Sequence, residues 1–264
     1  MEGEKKRRLV LVHGALHGAW CWYKVATLLK SSGLQVTSLD MAASGINPKQ
    51  VQDLNSVLQY VEPLMEFLRS LPEEERVILV AHSFGGICIS LAMEMFPNKI
   101  AAAVFVSGWM PGPHLSYLSL YQEFKHRLSL KSNLGSKTVS EKNTNNHQKG
   151  YVALDPGLMA SNAYQLSAPE DLTLALSLVR PFPIFGEEDL RENTQLTEEK
   201  YGIVPRVYIV CEQDKIMGHD FQLSMVERNP PNDVKAIAEA DHMPMFSKPQ
   251  DLFSYLHEIA NTYY

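Results

Sequence analysis

The 264-residue chain predicts an α/β fold, with a mostly parallel central sheet, helices on both faces, and a helical cap inserted after the strand at residues 101–107. Three observations predict it. Continuous apolar runs at residues 9–12, 77–80 and 101–107 read as strands buried on both faces. Stretches with helical spacing alternate with them, which is the rhythm of parallel strands joined by crossovers. That rhythm breaks at Trp109-Met110-Pro111-Gly112-Pro113 and resumes only at Arg206, so the intervening segment belongs to something other than the sheet.

Residues 9–12 form the first strand, and His13-Gly14-Ala15-Leu16-His17-Gly18-Ala19-Trp20 follows as a loop. Its two glycines allow backbone N–H groups to come close to a ligand. His13 and His17 are expected to brace backbone carbonyls in this loop rather than to move protons. Residues 20–31 have amphipathic helical spacing with Gly33 as the stop, and residues 34–39 read as the next strand. Asp40 caps the turn that follows. Residues 57–71 then read as a helix with Leu58, Val61, Leu64, Met65 and Leu68 on one face.

The strand at 77–80 runs to Ser83 and turns at once into a helix over 86–95, ended by Pro97. So tight a reversal needs small residues on either side, and Ala81 and Gly85 supply them. This is the pattern of a nucleophile elbow, with Ala81 standing where a glycine is usual. Such a bend pushes the serine out of the sheet edge, toward the unpaired N–H groups of the helix.

Residues 111–188 contain two helix-like parts, 115–128 and 170–179, and a polar stretch at 131–150. No strand is expected there, which is the form of a lid over a pocket. The chain is therefore read as one domain, 1–264, with a core of 1–110 and 189–264 and a cap of about 111–188. Leu158, Met159, Tyr164, Leu166 and Phe185 offer apolar side chains to line a pocket or to seat the cap.

Residues 206–210 resume the sheet and run into Asp214, which falls just past a strand's carboxyl end; Glu212 is its rival and Asp220 a weaker one. A last strand at 234–237 leads to a loop bearing His242, and a helix at 249–260 closes the chain. A serine hydroxyl is a weak nucleophile unless a histidine takes its proton and an acid orients that histidine. Ser83, Asp214 and His242 stand at strand ends in the order this architecture demands. The amides of Ala15 and Phe84 are the expected oxyanion donors.

A net charge of −6 spread over both signs gives no nucleic-acid signature, and no apolar run approaches the ~20 residues that cross a membrane. The sequence opens without a secretory pattern, so cytoplasmic residence is expected; residues 5–8 read as a solvated basic tail. Cys21, Cys88 and Cys211 are scattered and odd in number, which fits neither a disulfide framework nor a zinc site. No metal and no organic cofactor is implied.

Several motifs together carry a resemblance that spans nearly the whole chain. They are Leu11-Val12-His13-Gly14-Ala15 with His17-Gly18-Ala19-Trp20, Leu39-Asp40 with Ser44-Gly45, and Ala81-His82-Ser83-Phe84-Gly85-Gly86. Asp171-Leu172 with Leu178-Val179-Arg180-Pro181 and Ala240-Asp241-His242-Met243 complete the set. The sequence resembles the plant methylesterase and hydroxynitrile lyase group of the α/β-hydrolase superfamily. The resemblance implies the α/β-hydrolase fold, the triad Ser83, Asp214 and His242, the oxyanion hole of Ala15 and Phe84, and a possible homodimer. It further implies a serine carboxylesterase that hydrolyses the methyl ester of a small plant metabolite through an acyl-enzyme. Substrate contacts are expected at Leu16, Met159, Tyr164 and Met243.

Two alternatives accompany that reading: a hydroxynitrile lyase on the same triad, and a ligand receptor with slow turnover. The lyases of the group carry threonine after the first-strand histidine and lysine after the catalytic one, whereas this chain has Gly14 and Met243. Methylketone synthase, a relative that decarboxylates β-keto acids, lacks the serine that is kept here as Ser83. The polar stretch at 131–150 differs from the more aromatic lid of the salicylate branch.

Overall fold

The computed structural model describes residues 7–130, 137–142, 148–153 and 155–264. Its strands are β1 (Arg8–Val12), β2 (Gln35–Leu39), β3 (Val77–His82), β4 (Ile100–Val106), β5 (Lys137–Lys142), β6 (Gln148–Ala153), β7 (Phe182–Pro183), β8 (Arg206–Cys211) and β9 (Asp233–Ile237). Six of them form one sheet in the order β2-β1-β3-β4-β8-β9, and each neighbouring pair is parallel. Parallel strands hydrogen-bonded on both sides and covered on both faces have no polar side, which is why β3 up to Ala81 and the whole of β4 are apolar without alternation, and both strands are wholly buried.

The period of two in each strand still decides which face a side chain enters. Val10, Val12, Leu79, Ala81, Phe105 and Tyr208 point into one core layer, with Val61, Leu64 and Leu68 of the helix Val57–Ser70. Leu9, Leu11, Ile78, Val80, Val104 and Ile209 point into the other, against Val25 and Leu29 of the helix Tyr23–Ser31 and Leu252, Leu256 and Ile259 of the helix Pro249–Thr262. Each Val, Leu, Ile or Phe among them contributes roughly 1.5–3 kcal/mol by leaving water. The two layers hold the sheet rigid, and its carboxyl edge becomes a fixed platform.

The expected strands and main helices are present with small shifts of boundary. The turn before Tyr23–Ser31 is a separate 3₁₀ turn, Ala19–Trp22, and two further helices, Glu187–Asn193 and His219–Arg228, carry too little apolar periodicity to stand out in the sequence. The insertion between β4 and β8 corrects one expectation: it does contain strands. β5 and β6 pair antiparallel and β6 continues onto β7. Lys137-Thr138-Val139-Ser140-Glu141-Lys142 has a single apolar residue, so hydrophobic alternation could not betray it. The remainder of the polar stretch, 131–136 and 143–147, and the tail at 1–6 lie outside the described residues. Among the described residues no helix is long and apolar enough to cross a membrane, and no cluster of three or more His, Cys, Asp or Glu could hold a metal ion.

Candidate active site

Ser83 lies between β3 and the helix Gly85–Met95 at φ +52°, in the left-handed region that costs an L side chain roughly 1–2 kcal/mol. The surroundings hold it there. Its N–H donates to Val106 O, and its own carbonyl accepts from both Gly86 N and Trp109 N at 3.0 Å. The helix that follows runs so close to its neighbours that a Cβ at Gly85 would sit 2.7 Å from His13 O, and one at Gly86 2.1 Å from Trp109 O. Those glycines are therefore required by contact. Ala81, fully buried, is accommodated.

His242, in the loop after β9, has Nε2 at 3.2 Å from Ser83 Oγ and Nδ1 at 2.7 Å from Asp214 Oδ2. Asp214 Oδ1 accepts from Ile216 N at 2.7 Å and Met217 N at 2.9 Å, and Oδ2 also accepts from the Ser107 hydroxyl. A carboxylate saturated with donors presents only an acceptor to the imidazole. The Nδ1 hydrogen is thereby fixed on the Asp214 side, and the bare Nε2 faces the serine. His82 adds a second restraint, its Nε2–H donating to His242 O at 2.6 Å. Burial and the nearby His242 push the His82 imidazole well below its ordinary range, so it stays neutral.

Sequence reasoning missed Ser107. It is the first residue beyond β4, strained at φ +40°, and its N–H donates to Ile209 O on the neighbouring strand. A polar residue ending an otherwise apolar strand was the available signal. The rivals fall away: Glu212 is exposed, and Asp220 pairs with Arg127 at the surface.

The loop after β1 lies beside Ser83. His13 Nδ1 donates to Gly14 O at 2.8 Å while its Nε2 accepts from Met41 N, and His17 Nδ1 donates to Ala15 O at 2.9 Å. Both histidines brace carbonyls, as expected. Leu16 is at φ +69°, and its carbonyl accepts from Arg180 N at 2.9 Å. Neither the Ala15 N–H nor the Phe84 N–H has an acceptor among the described residues. A Cβ at Gly14 would lie 2.8 Å from His82 Nδ1 and 2.9 Å from Ser83 Cβ, so the loop approaches the serine as closely as it does because position 14 has no side chain.

Above Ser83 opens a cavity of about 380 Å³. Ser83, His82 and His242 form part of its floor, and its walls include Leu16, Trp109, Tyr117, Phe124, Phe182 and Phe185. Among the described residues no carboxylate lines it and Lys125 is its one lining cation. Of the expected substrate contacts, Leu16 lines the cavity, and so do Leu158 and Phe185. Met159, Tyr164 and Met243 do not. They are buried in the core layer that also holds Phe246, and the Tyr164 hydroxyl is turned to His17 Nε2 at 2.6 Å. Leu166 is half exposed. The aromatic wall had a signal in the sequence, since Tyr117, Tyr121 and Phe124 recur at helical spacing on one face of the helix Tyr117–Leu130.

Comparison with known proteins agrees with this architecture. The model of the alpha/beta hydrolase family matches residues 9–254. Methyl jasmonate esterase 1 of Vitis vinifera is 51% identical over 260 residues, covering 98% of this chain and 99% of its own. Crystal structures of similar fold include tomato methylketone synthase I complexed with 2-tridecanone (TM-score 0.91, 45% identity, covering 98% of this chain and 99% of that one). Polyneuridine aldehyde esterase superposes with a TM-score of 0.92 at 39% identity, covering 97% and 99% of the respective chains.

Proposed function

The chain belongs to the alpha/beta hydrolase family, grouped with the plant methylesterases, and is a carboxylic ester hydrolase; from that premise we propose that Ser83, His242 and Asp214 carry out its reaction. The observation that carries the proposal is the hydrogen-bonded series from Asp214 through His242 to Ser83 at the floor of an apolar cavity. Ser83 Oγ attacks the ester carbonyl while its proton passes to His242 Nε2. The imidazolium so formed keeps its Nδ1–H on Asp214, which stabilises the charge. The Ala15 and Phe84 N–H groups donate to the developing oxyanion. Collapse of the tetrahedral adduct expels methanol, which takes the proton from Nε2. Water then attacks the acyl-enzyme, giving its proton to Nε2; collapse releases the acid and returns that proton to Ser83.

The walls favour an acyl group with an apolar body, within the size range of small-molecule sites. Because the Vitis vinifera relative is named for methyl jasmonate, that ester is the first to test. Residues of about 111–188 act as cap over a core of 1–110 and 189–264. Three buried, unpaired cysteines fit a reducing compartment, the cytosol. Pairing of two copies is part of the proposal and is read from the mass in solution. The cyanohydrin reading gains no support, since Met243 brings no charge and lies outside the cavity lining.

Methanol release from a panel of methyl esters tests the proposal. Wild-type protein is expected to turn over many times, and Ser83→Ala to lose about 10⁴–10⁶-fold in kcat with its fold retained. Turnover that survives in Ser83→Ala removes the serine from the mechanism; a single slow turnover in wild type favours a ligand receptor.

A further inference from the structure

Tyr164 is a buried titratable group that the proposed reaction does not use. Its ring lies outside the cavity, between the His17 imidazole at 5.9 Å and Phe246 at 5.5 Å. Its hydroxyl is 2.6 Å from His17 Nε2, and the other ring nitrogen of His17 is 2.9 Å from Ala15 O. A carbonyl oxygen can only accept, so His17 Nδ1 carries a hydrogen. Burial pushes this imidazole down to about 4, which keeps the ring neutral near pH 7 and leaves Nε2 bare. Nε2 must then accept, and the Tyr164 hydroxyl donates. Donation runs in one direction, from the cap through His17 to the carbonyl of Ala15.

That carbonyl belongs to the peptide joining Ala15 to Leu16, and Leu16 is held at φ +69°. The preceding peptide bears the Ala15 N–H, and its carbonyl, Gly14 O, is held by His13. Ala15 thus sits between two anchored peptides. With both fixed, its N–H cannot swing away from the space above Ser83.

We propose that Tyr164 is a positioning residue for the oxyanion hole, acting through His17 on the Ala15–Leu16 peptide. The inference rests on the roles given above to Ser83 and Ala15. Without the hydroxyl, Nε2 is buried with no donor and the imidazole can carry its hydrogen on either nitrogen. In the wrong tautomer the Nδ1 lone pair faces Ala15 O and repels it. The donor then loosens, while the aromatic walls from Trp109, Tyr117, Phe124, Phe182 and Phe185 stay as they were.

The test compares wild type, Tyr164→Phe, His17→Ala, the double variant and Ser83→Ala on one methyl ester. Inhibition is measured with the acid product and with a trifluoromethyl ketone, which adds to a serine and places an oxyanion in the hole. Tyr164→Phe is expected to lower kcat about three- to tenfold with KM within about twofold, as loss of one hydrogen bond predicts. Trifluoromethyl ketone affinity should fall by the same factor as kcat/KM and acid affinity should hold. The double variant should be no worse than His17→Ala, because the two residues act in series. Imidazole ¹⁵N shifts of His17 should report hydrogen on Nδ1 in wild type and a mixture in Tyr164→Phe. Wild-type kcat and trifluoromethyl ketone affinity in Tyr164→Phe, beside an inactive Ser83→Ala, would overturn this inference alone. An active Ser83→Ala would overturn it together with the reading beneath it.

Discussion

The floor and the walls of the cavity are built by different rules. At the floor, single atoms are specified: Asp214 receives Ile216 N, Met217 N, the Ser107 hydroxyl and His242 Nδ1, and His242 is held again through its carbonyl by His82. At the walls, volume is specified: Phe182 meets Phe84 at 4.7 Å and Tyr60 at 5.3 Å, edge to face. A polar network loses its function when one atom is lost, because a buried group left unpaired costs more than the bond contributed. An apolar wall tolerates exchange as long as volume is kept. Chemistry and substrate choice can therefore change independently on one scaffold. The segment 166–180 of the insertion is tied to the rest of the chain by a few anchors: Arg180 donates to Gly45 O and Asn47 O, Lys24 pairs with the buried Asp171, and Asp241 Oδ2 accepts from Leu166 N.

The largest effect expected at the floor comes from Asp214→Asn. Asparagine can keep an oxygen for Ile216 N and Met217 N, but its NH₂ faces His242 and reverses the imidazole tautomer. A drop in kcat of about 10⁴-fold is expected, with the thermal midpoint little changed. A decrease under tenfold would show that the floor does not depend on single atoms.

Next in size is a pH effect of the buried histidines at and beside the floor. Burial lowers the imidazoles of His13, His17 and His82, His17 to about 4 against an ordinary 6.5. The unfolded chain binds protons below about pH 6.5 that the folded chain refuses, so stability is whole above that value and is lost as pH falls toward 4. For His17 alone the loss is on the order of 3 kcal/mol. Urea unfolding at pH 7 and pH 4.5 reads it, and His17→Gln should flatten the slope. A free energy that does not change across that window would contradict the neutral, donor-fixed histidines.

The smallest is at the wall. Phe182→Ala removes three edge-to-face contacts, with Tyr60, Phe84 and Phe185, and enlarges the cavity, so KM should rise about tenfold while kcat stays within a few-fold. Preference should shift toward bulkier acids, as initial rates over an ester series would reveal. A kcat loss as large as that of Asp214→Asn would erase the distinction between floor and wall.

How legible each region is in the sequence follows the same division. Ser83 and Asp214 are readable because each is a polar residue just past an apolar strand, and His242 because it follows the last strand in the order the architecture demands. Leu16 is readable through its position, because the loop after β1 adjoins Ser83. Tyr164 and Met243 were expected at the substrate, but an apolar or amphipathic residue in a cap or loop has no local mark of which side it faces. Tyr164 turns away because His17 offers it a buried acceptor 147 positions earlier in the chain.

The sequence by itself determined the parallel sheet, the sharp turn at Ser83 and the order in which Ser83, Asp214 and His242 occur at the sheet's carboxyl edge, because strand burial and backbone reversal are written in adjacent residues. Only the tertiary structure decided that Ser107 would brace Asp214, that Phe182 would wall the cavity, and that β5 and β6 would pair within the insertion between β4 and β8. Those outcomes depend on contacts between distant segments, whose free energy belongs to the pair and to neither segment alone.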